Sequence, residues 1–126
     1  EQAKHIERYI FTHPNLPEDL IPYWDFNAPE IPNEPRDASA ATCIASALYE
    51  LSTYVPEYKA LYKEEADRIL ENLTAHYRAK PNGFLLLHST GSKPHNSEID
   101  VPIVYADYYF LEALIRKNKL EKEQKL

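Results

Sequence analysis

At 126 residues the chain has the length of one domain, and a domain of that size buries roughly two-thirds of its extended surface. Hydrophobic residues at 44% and charged residues at 27% exclude an intrinsically disordered composition, and a net charge of −6 with scattered lysines and arginines excludes the basic stripe that nucleic-acid phosphates demand. No apolar run approaches the ~20 residues of a membrane-spanning helix, and the single cysteine, Cys43, leaves no internal disulfide and no CxxC metal or redox site.

The segment from about Ala3 to Thr12 predicts a first helix with Ile6, Tyr9 and Ile10 on one face, stopped by Pro14. Pro14 to Arg36 is too proline-rich for helix: six of the chain's ten prolines lie there, against two glycines in the whole chain. Proline without glycine implies a stiff, ordered loop rather than a flexible linker. Asp37 is a good N-cap for a second helix from Ala38 to about Ser52, where Ala38, Ala41, Ala45, Leu48 and Leu51 sit among other small or apolar residues. Apolar all round, it is expected to be buried on all sides, and since four helices cannot cover it completely, its surface is expected to need more protein than this chain supplies. Pro56 suits the first position of a third, amphipathic helix reaching about Arg78. There Tyr58, Tyr62, Ile69, Leu73 and Tyr77 recur at helical spacing, while Lys63, Glu64, Asp67, Arg68 and Glu71 face water. Asn82-Gly83 predicts a turn, and Phe84 to Leu87 a short strand or a buried loop segment. Pro102 opens a fourth helix to about Lys117, again apolar or aromatic on nearly every side, and residues 118–126 form a charged tail expected to fray.

Outward-facing and buried helices therefore alternate, with about 65 residues from one buried helix to the next. That pattern describes two layers of helical hairpins, as in α-solenoids or closed α/α toroids. Consecutive helices in such an array run antiparallel, so both long loops, Pro14–Arg36 and Lys80–Val101, are expected at one end, above the N-termini of the buried helices. Free N–H groups and partial positive charge there favour anions, and long loops in compact domains usually carry function.

The loop residues suggest what such a cleft would hold. Tyr23-Trp24-Asp25-Phe26 sets the only tryptophan beside a carboxylate and two further aromatics, a platform suited to the C–H face and polar rim of a sugar ring; the same tryptophan would equally serve to plug the loop onto the helices. Arg36-Asp37 reads as a helix cap with a supporting ion pair, and an arginine fixed at the cleft floor is also placed to meet a substrate carboxylate. Ser89-Thr90-Gly91-Ser92-Lys93 gathers three hydroxyls, an ammonium and glycine-exposed N–H groups into a candidate anion cradle, without the GxxxxGK[ST] of a Walker loop. His88, His95, Glu98 and Asp100 match no metal-ligand spacing, so neither a metal nor another cofactor is expected, and no nucleophile-elbow sequence accompanies the histidines and serines. Asp107, on an almost wholly apolar helix, is expected to be tied to tyrosine hydroxyls or to line the cavity.

The string PYWDFNAPEIPNEPRDASAA, followed some 45 residues later by LLHSTGSKPHNSEIDVPIVYADYYFLEALIR, resembles the C-terminal part of unsaturated glucuronyl hydrolases over about 50 residues, in the expected order and spacing. Asn27 and Ala106 depart from the acid and the glycine common in that family. The resemblance implies an all-α fold in which residues 1–126 are the last two hairpins of an (α/α)6 toroid, incomplete on their own. It implies release of a 4,5-unsaturated uronic acid from glycosaminoglycan-type oligosaccharides made by polysaccharide lyases, through addition of water across the C4=C5 enol ether. Two aspartates do the acid/base work in the family, and both lie upstream of the PYWDF stretch, so no catalytic residue is assigned in this chain and the chain alone is expected to be inactive. Binding is what carries over. The family's loop matching Ser89 to Lys93 lies near the sugar after the uronate, where serine and lysine are linked to sulfate. Ser89, Ser92 and Lys93 are the candidates, with His88 shaping the wall, Tyr23 and Trp24 on the cleft surface, and Arg36 at its floor. The alternatives are an unsaturated rhamnogalacturonyl hydrolase, which shares the toroid and the hydration chemistry, and a non-catalytic carbohydrate-binding or scaffold module. The expected partners are the unsaturated oligosaccharide and either upstream toroid helices or a second copy of the fragment, with neither nucleic acid nor membrane. Glu1 does not read as an ordinary start, since the chain has no methionine, and the compartment, cytoplasmic or periplasmic, stays open.

Overall fold

Asp37 ends the proline-rich loop with φ −124° and accepts a hydrogen bond from Ser39 N, which starts the central helix of the molecule. In the computed structural model, which describes residues 1–80 and 83–125, the helices are α1 (Gln2–Thr12), α2 (Ala38–Tyr54), α3 (Lys59–His76) and α4 (Val104–Gln124). Among the described residues there are no strands, only isolated bridges such as Tyr23–Arg36, Arg78–Leu86 and Ser89–Val101. Phe84–Leu87 is accordingly a loop segment, with Leu86 fully buried and Phe84 exposed. The expected Asn82-Gly83 turn involves Asn82, which lies outside the described residues; Gly83 itself has φ +104°, a region glycine enters without strain.

Helix α2 packs on both α3 and α4. Its alanines make this possible: Ala38, Ala41 and Ala45 are fully buried, and a helix surface of methyl groups lets neighbouring backbones approach closely. Ser46 Oγ meets Glu112 Oε1 at 2.6 Å and Arg116 Nη2 meets Glu50 Oε2 at 3.0 Å, the two pairs sharing one 66-residue offset. A constant offset means that α2 and α4 run parallel. Arg36, just before α2, lies 3.4 Å from the hydroxyl of Tyr77, just after α3, so α3 runs antiparallel to α2. The inferred arrangement of hairpins is what these contacts build.

Helix ends and faces differ from expectation in two places. Pro56 opens a separate 3-10 turn, Pro56–Tyr58, before α3 begins at Lys59, and Tyr58 is 44% exposed instead of core; its ring instead takes the Lys4 ammonium from α1 at 5.4 Å. The charged C-terminal segment continues α4 as far as Gln124, because Leu120 reaches the core and Lys117 pairs with Glu121 and, at 3.1 Å, with Asp67. As expected of four helices alone, neither α2 nor α4 is buried on all sides. Cys43, Ala47 and Tyr54 of α2 line an apolar groove of about 500 Å³ with Ile6 and Ile10 of α1, and Val104, Tyr108, Leu111 and Ile115 of α4 form an exposed stripe. Two hairpins supply no neighbour for those faces, in accord with a unit that is incomplete by itself.

Candidate functional site

Both long loops meet at one end of the molecule. His88 O accepts the Ala38 N–H at 3.0 Å, and Asp37 Oδ1 accepts both Ser39 N at 3.1 Å and Thr90 N at 3.2 Å. Thr90 Oγ1 donates to Arg36 O at 3.0 Å. Ser89 and Val101 exchange two backbone hydrogen bonds of 2.9 Å, which delivers the chain to the start of α4. One carboxylate, Asp37, thus caps α2 and pins the second loop across that cap. The N-termini of α2 and α4 and the C-terminus of α3 lie at this end, as helix alternation requires.

Glu34 organises the first loop. Its side chain is wholly shielded from solvent, yet it is saturated with donors: Trp24 Nε1 at 2.5 Å, Lys93 Nζ at 2.7 Å and Glu30 N at 3.2 Å. The Lys93 ammonium, followed by the Trp24 N–H, holds the Glu34 carboxyl below its usual range, so it remains ionised. Lys93 Nζ also lies 5.5 Å from the centre of the Trp24 ring, within cation–π reach. Tryptophan and lysine from two loops are therefore held as one unit. Sequence reasoning placed both in the wall and missed the glutamate between them, whose only trace was an acid within a run of prolines.

Arg36 is held from several sides. Its Nη1 donates to Asp19 Oδ1 at 2.8 Å, Asp19 Oδ2 at 3.1 Å and Ile21 O at 2.8 Å, and its guanidinium lies 4.7 Å from the Tyr23 ring centre. Tyr77 donates to Asp19 Oδ2 at 3.1 Å; burial, reinforced by the Asp19 charge, pushes its hydroxyl up to about 12. Tyr23 is itself buried, so it supports Arg36 from behind. A hollow of about 390 Å³ opens beside this cluster, where Arg36, Tyr77, His88 and Asp100 come together.

His88 has φ +66° and Asp100 φ +53°, both in the left-handed region that non-glycine residues seldom enter. Their side chains meet, Nδ1 to Oδ1, at 2.6 Å. His88 also sets its ring edge-on to Tyr77, 5.6 Å between centres. Ser92 Oγ pairs with His95 Nδ1 at 2.8 Å on the open side of the loop. Ser89, by contrast, is fully buried and its Oγ has no partner, so its hydroxyl faces inward. Gly91 is tightly covered, since a Cβ there would collide with the Glu98 carboxylate.

Asp107 fills a structural role with partners other than tyrosines: it accepts the Leu85 and Leu86 amides at 2.9 and 3.1 Å. All six aspartates of the chain are engaged in such bonds. Besides Asp19, Asp37, Asp100 and Asp107, Asp25 accepts Asn27 N at 2.7 Å and Asp67 accepts the Tyr49 hydroxyl at 2.5 Å. Among the described residues, no three His, Cys, Asp or Glu side chains cluster closely enough to hold a metal ion.

No family model matches the chain. It is 52% identical over 123 residues to an unsaturated glucuronyl hydrolase of Formosa agariphila, an alignment covering 94% of this chain and 30% of that protein. It is 34% identical over 122 residues to an unsaturated chondroitin disaccharide hydrolase of Streptococcus pneumoniae, covering 92% of this chain and again 30% of the relative. Among solved structures, an unsaturated glucuronyl hydrolase specific for heparin superimposes with a TM-score of 0.90 at 48% identity, over 95% of this chain and 33% of that one. A variant of the enzyme from Streptococcus agalactiae, complexed with dGlcA-GalNAc6S, superimposes with a TM-score of 0.76 at 30% identity, over 91% of this chain and 34% of that one. The chain thus spans about a third of the length of the proteins it matches. A third of a six-hairpin toroid is two hairpins, the number found here.

Proposed function

We propose, from the premise that this chain is a homologue of the C-terminal part of the unsaturated glucuronyl hydrolases, that it forms one wall of a carbohydrate cleft in an enzyme of that activity. The reaction is release of a 4,5-unsaturated uronic acid from glycosaminoglycan-type oligosaccharides by hydration of the C4=C5 enol ether. The observation that carries this reading is the stitching of two distant loops into a single polar and aromatic surface above the N-termini of α2 and α4. In that surface Trp24 and Lys93 offer the ring face and the ammonium that a substituted sugar needs. Ser92 and His88 flank them, while Tyr23, Arg36 and Ser89 hold the wall from behind.

The wall binds and does not itself perform the acid/base chemistry. The resemblance implies that the two acid/base aspartates lie upstream of the PYWDF stretch, in a part of the toroid outside these two hairpins; the six aspartates of this chain all take part in hydrogen bonds within it. In the full-length protein, Trp24→Ala is expected to raise KM for an unsaturated disaccharide about fivefold, since aromatic stacking contributes about 1 kcal/mol beyond area burial. Unchanged KM in a folded variant would remove this surface from the cleft.

A further inference from the structure

Resting on the wall assigned above, we propose that Glu34 sets the charge selectivity of the cleft: it converts Lys93 from a free cation into a neutral pair, so this position favours an uncharged hydrogen-bond acceptor on the sugar over an anionic substituent. The geometry is specific. Glu34 Oε2 sits 2.7 Å from Lys93 Nζ, and its side chain has no exposed surface, whereas the Lys93 side chain is 29% exposed. The ammonium therefore still presents N–H groups outward while the countercharge lies directly behind it. Because water does not reach that carboxylate, its field is weakly screened. A sulfate placed against Lys93 would stand about 5–6 Å from Glu34, close enough for repulsion at an effective dielectric near 20 to offset much of the attraction. A neutral hydroxyl or carbonyl oxygen suffers no such penalty. The same carboxylate oxygen accepts the Trp24 N–H at 2.5 Å, which fixes the pair beside the aromatic face.

Glu34→Gln removes the negative charge while the amide oxygen still accepts from Trp24 and Lys93; its NH2 then faces the Glu30 N–H, a cost common to both substrates that cancels in their ratio. The reading is the ratio of kcat/KM for a sulfated unsaturated disaccharide to that for its unsulfated counterpart, measured in the full-length protein. Glu34→Gln is expected to raise that ratio about tenfold, the scale of one close charge interaction at a partly shielded surface, and adding Lys93→Gln is expected to abolish the rise. Salt provides a readout on the unmodified protein: KM for the two substrates should respond alike to rising ionic strength, with a steeper response for the sulfated substrate only in Glu34→Gln. If Lys93→Gln alone lowers the ratio but Glu34→Gln leaves it unchanged, Lys93 reads anions despite its partner and the inference falls while the wall stands. If neither variant alters turnover of either substrate, the wall itself is misplaced and the inference falls with it.

Discussion

Asp107, one turn into α4, holds the backbone amides of Leu85 and Leu86 at 2.9 and 3.1 Å. A single side chain thereby fixes the entry of the loop that carries His88 to Lys93, and couples its height to the packing of α4 on α2. Asp107→Asn can accept one of the two amides but turns an NH2 group toward the other. It is expected to destabilise the folded chain by about 1–3 kcal/mol, read as a lowered denaturation midpoint at unchanged m-value. Faster exchange of the Leu85 and Leu86 amides would locate the loss. Wild-type exchange rates at both positions in the variant would count against the role.

The folded chain should lose stability as pH rises through the range of Glu65. Glu65 is almost fully buried on α3 and its Oε2 has no partner. Burial first, and the nearby Glu7 charge second, push its carboxyl up from the ordinary 4.5 to about 8. Between those values the folded chain holds a proton that the unfolded chain has lost, so stability is greatest below the unfolded value and declines as pH climbs through the folded one. The chain should melt lower at pH 8.5 than at pH 5, by roughly 1–3 kcal/mol in stability. Glu65→Gln should flatten that dependence and raise the melting temperature at pH 8.5. A wild-type chain whose stability is level from pH 5 to 8.5 would show that Glu65 is solvated.

Much of this architecture was legible because it rests on local signals. Asp37 before an alanine-rich run marked the start of α2, and helix alternation placed both loops at one end without any contact being known. What escaped the sequence were partnerships over long separations. Glu34 and Lys93 are 59 residues apart, and nothing near Glu34 shows that a lysine from the next hairpin will neutralise it. Ser89 looked like part of an open hydroxyl cluster, yet pairing with Val101 turns it into the core. The end of α4 was read from charge, whereas Leu120 and the Lys117–Asp67 pair carry the helix onward. Periodicity and helix count together did show that α2 and α4 leave apolar faces uncovered, because four helices are too few neighbours for two apolar ones.

Ala45 tests the burial of α2 directly. It is fully buried between neighbouring helices, while Ala47, two positions on, is exposed in the groove beside α1. Ala45→Glu forces an unpaired charge into the core at a cost of several kcal/mol and should leave the chain unfolded or aggregated by circular dichroism and size exclusion. Ala47→Glu should remain folded. Similar behaviour of the two variants would mean that the helix is rotated from the orientation described.

The 126-residue chain alone should not turn over unsaturated disaccharides. The resemblance implies that the general acid and base for hydrating the enol ether lie upstream of the PYWDF stretch, and each aspartate here has a partner within the chain. Asp37 caps α2 and pins Thr90, Asp107 holds two amides, Asp19 is shared by Arg36 and Tyr77, and Asp100 is bound to His88. Asp25 closes its own turn onto Asn27, and Asp67 lies against Tyr49 and Lys117 on the far side of α2. Turnover is followed as loss of the conjugated-alkene absorbance near the ultraviolet edge, with the full-length protein as the positive control. Loss at the control's rate by the isolated chain would place the acid/base among these residues. Substituting Asp19, Asp25, Asp37, Asp67, Asp100 and Asp107 in turn would then show which structural bond gives way during the reaction.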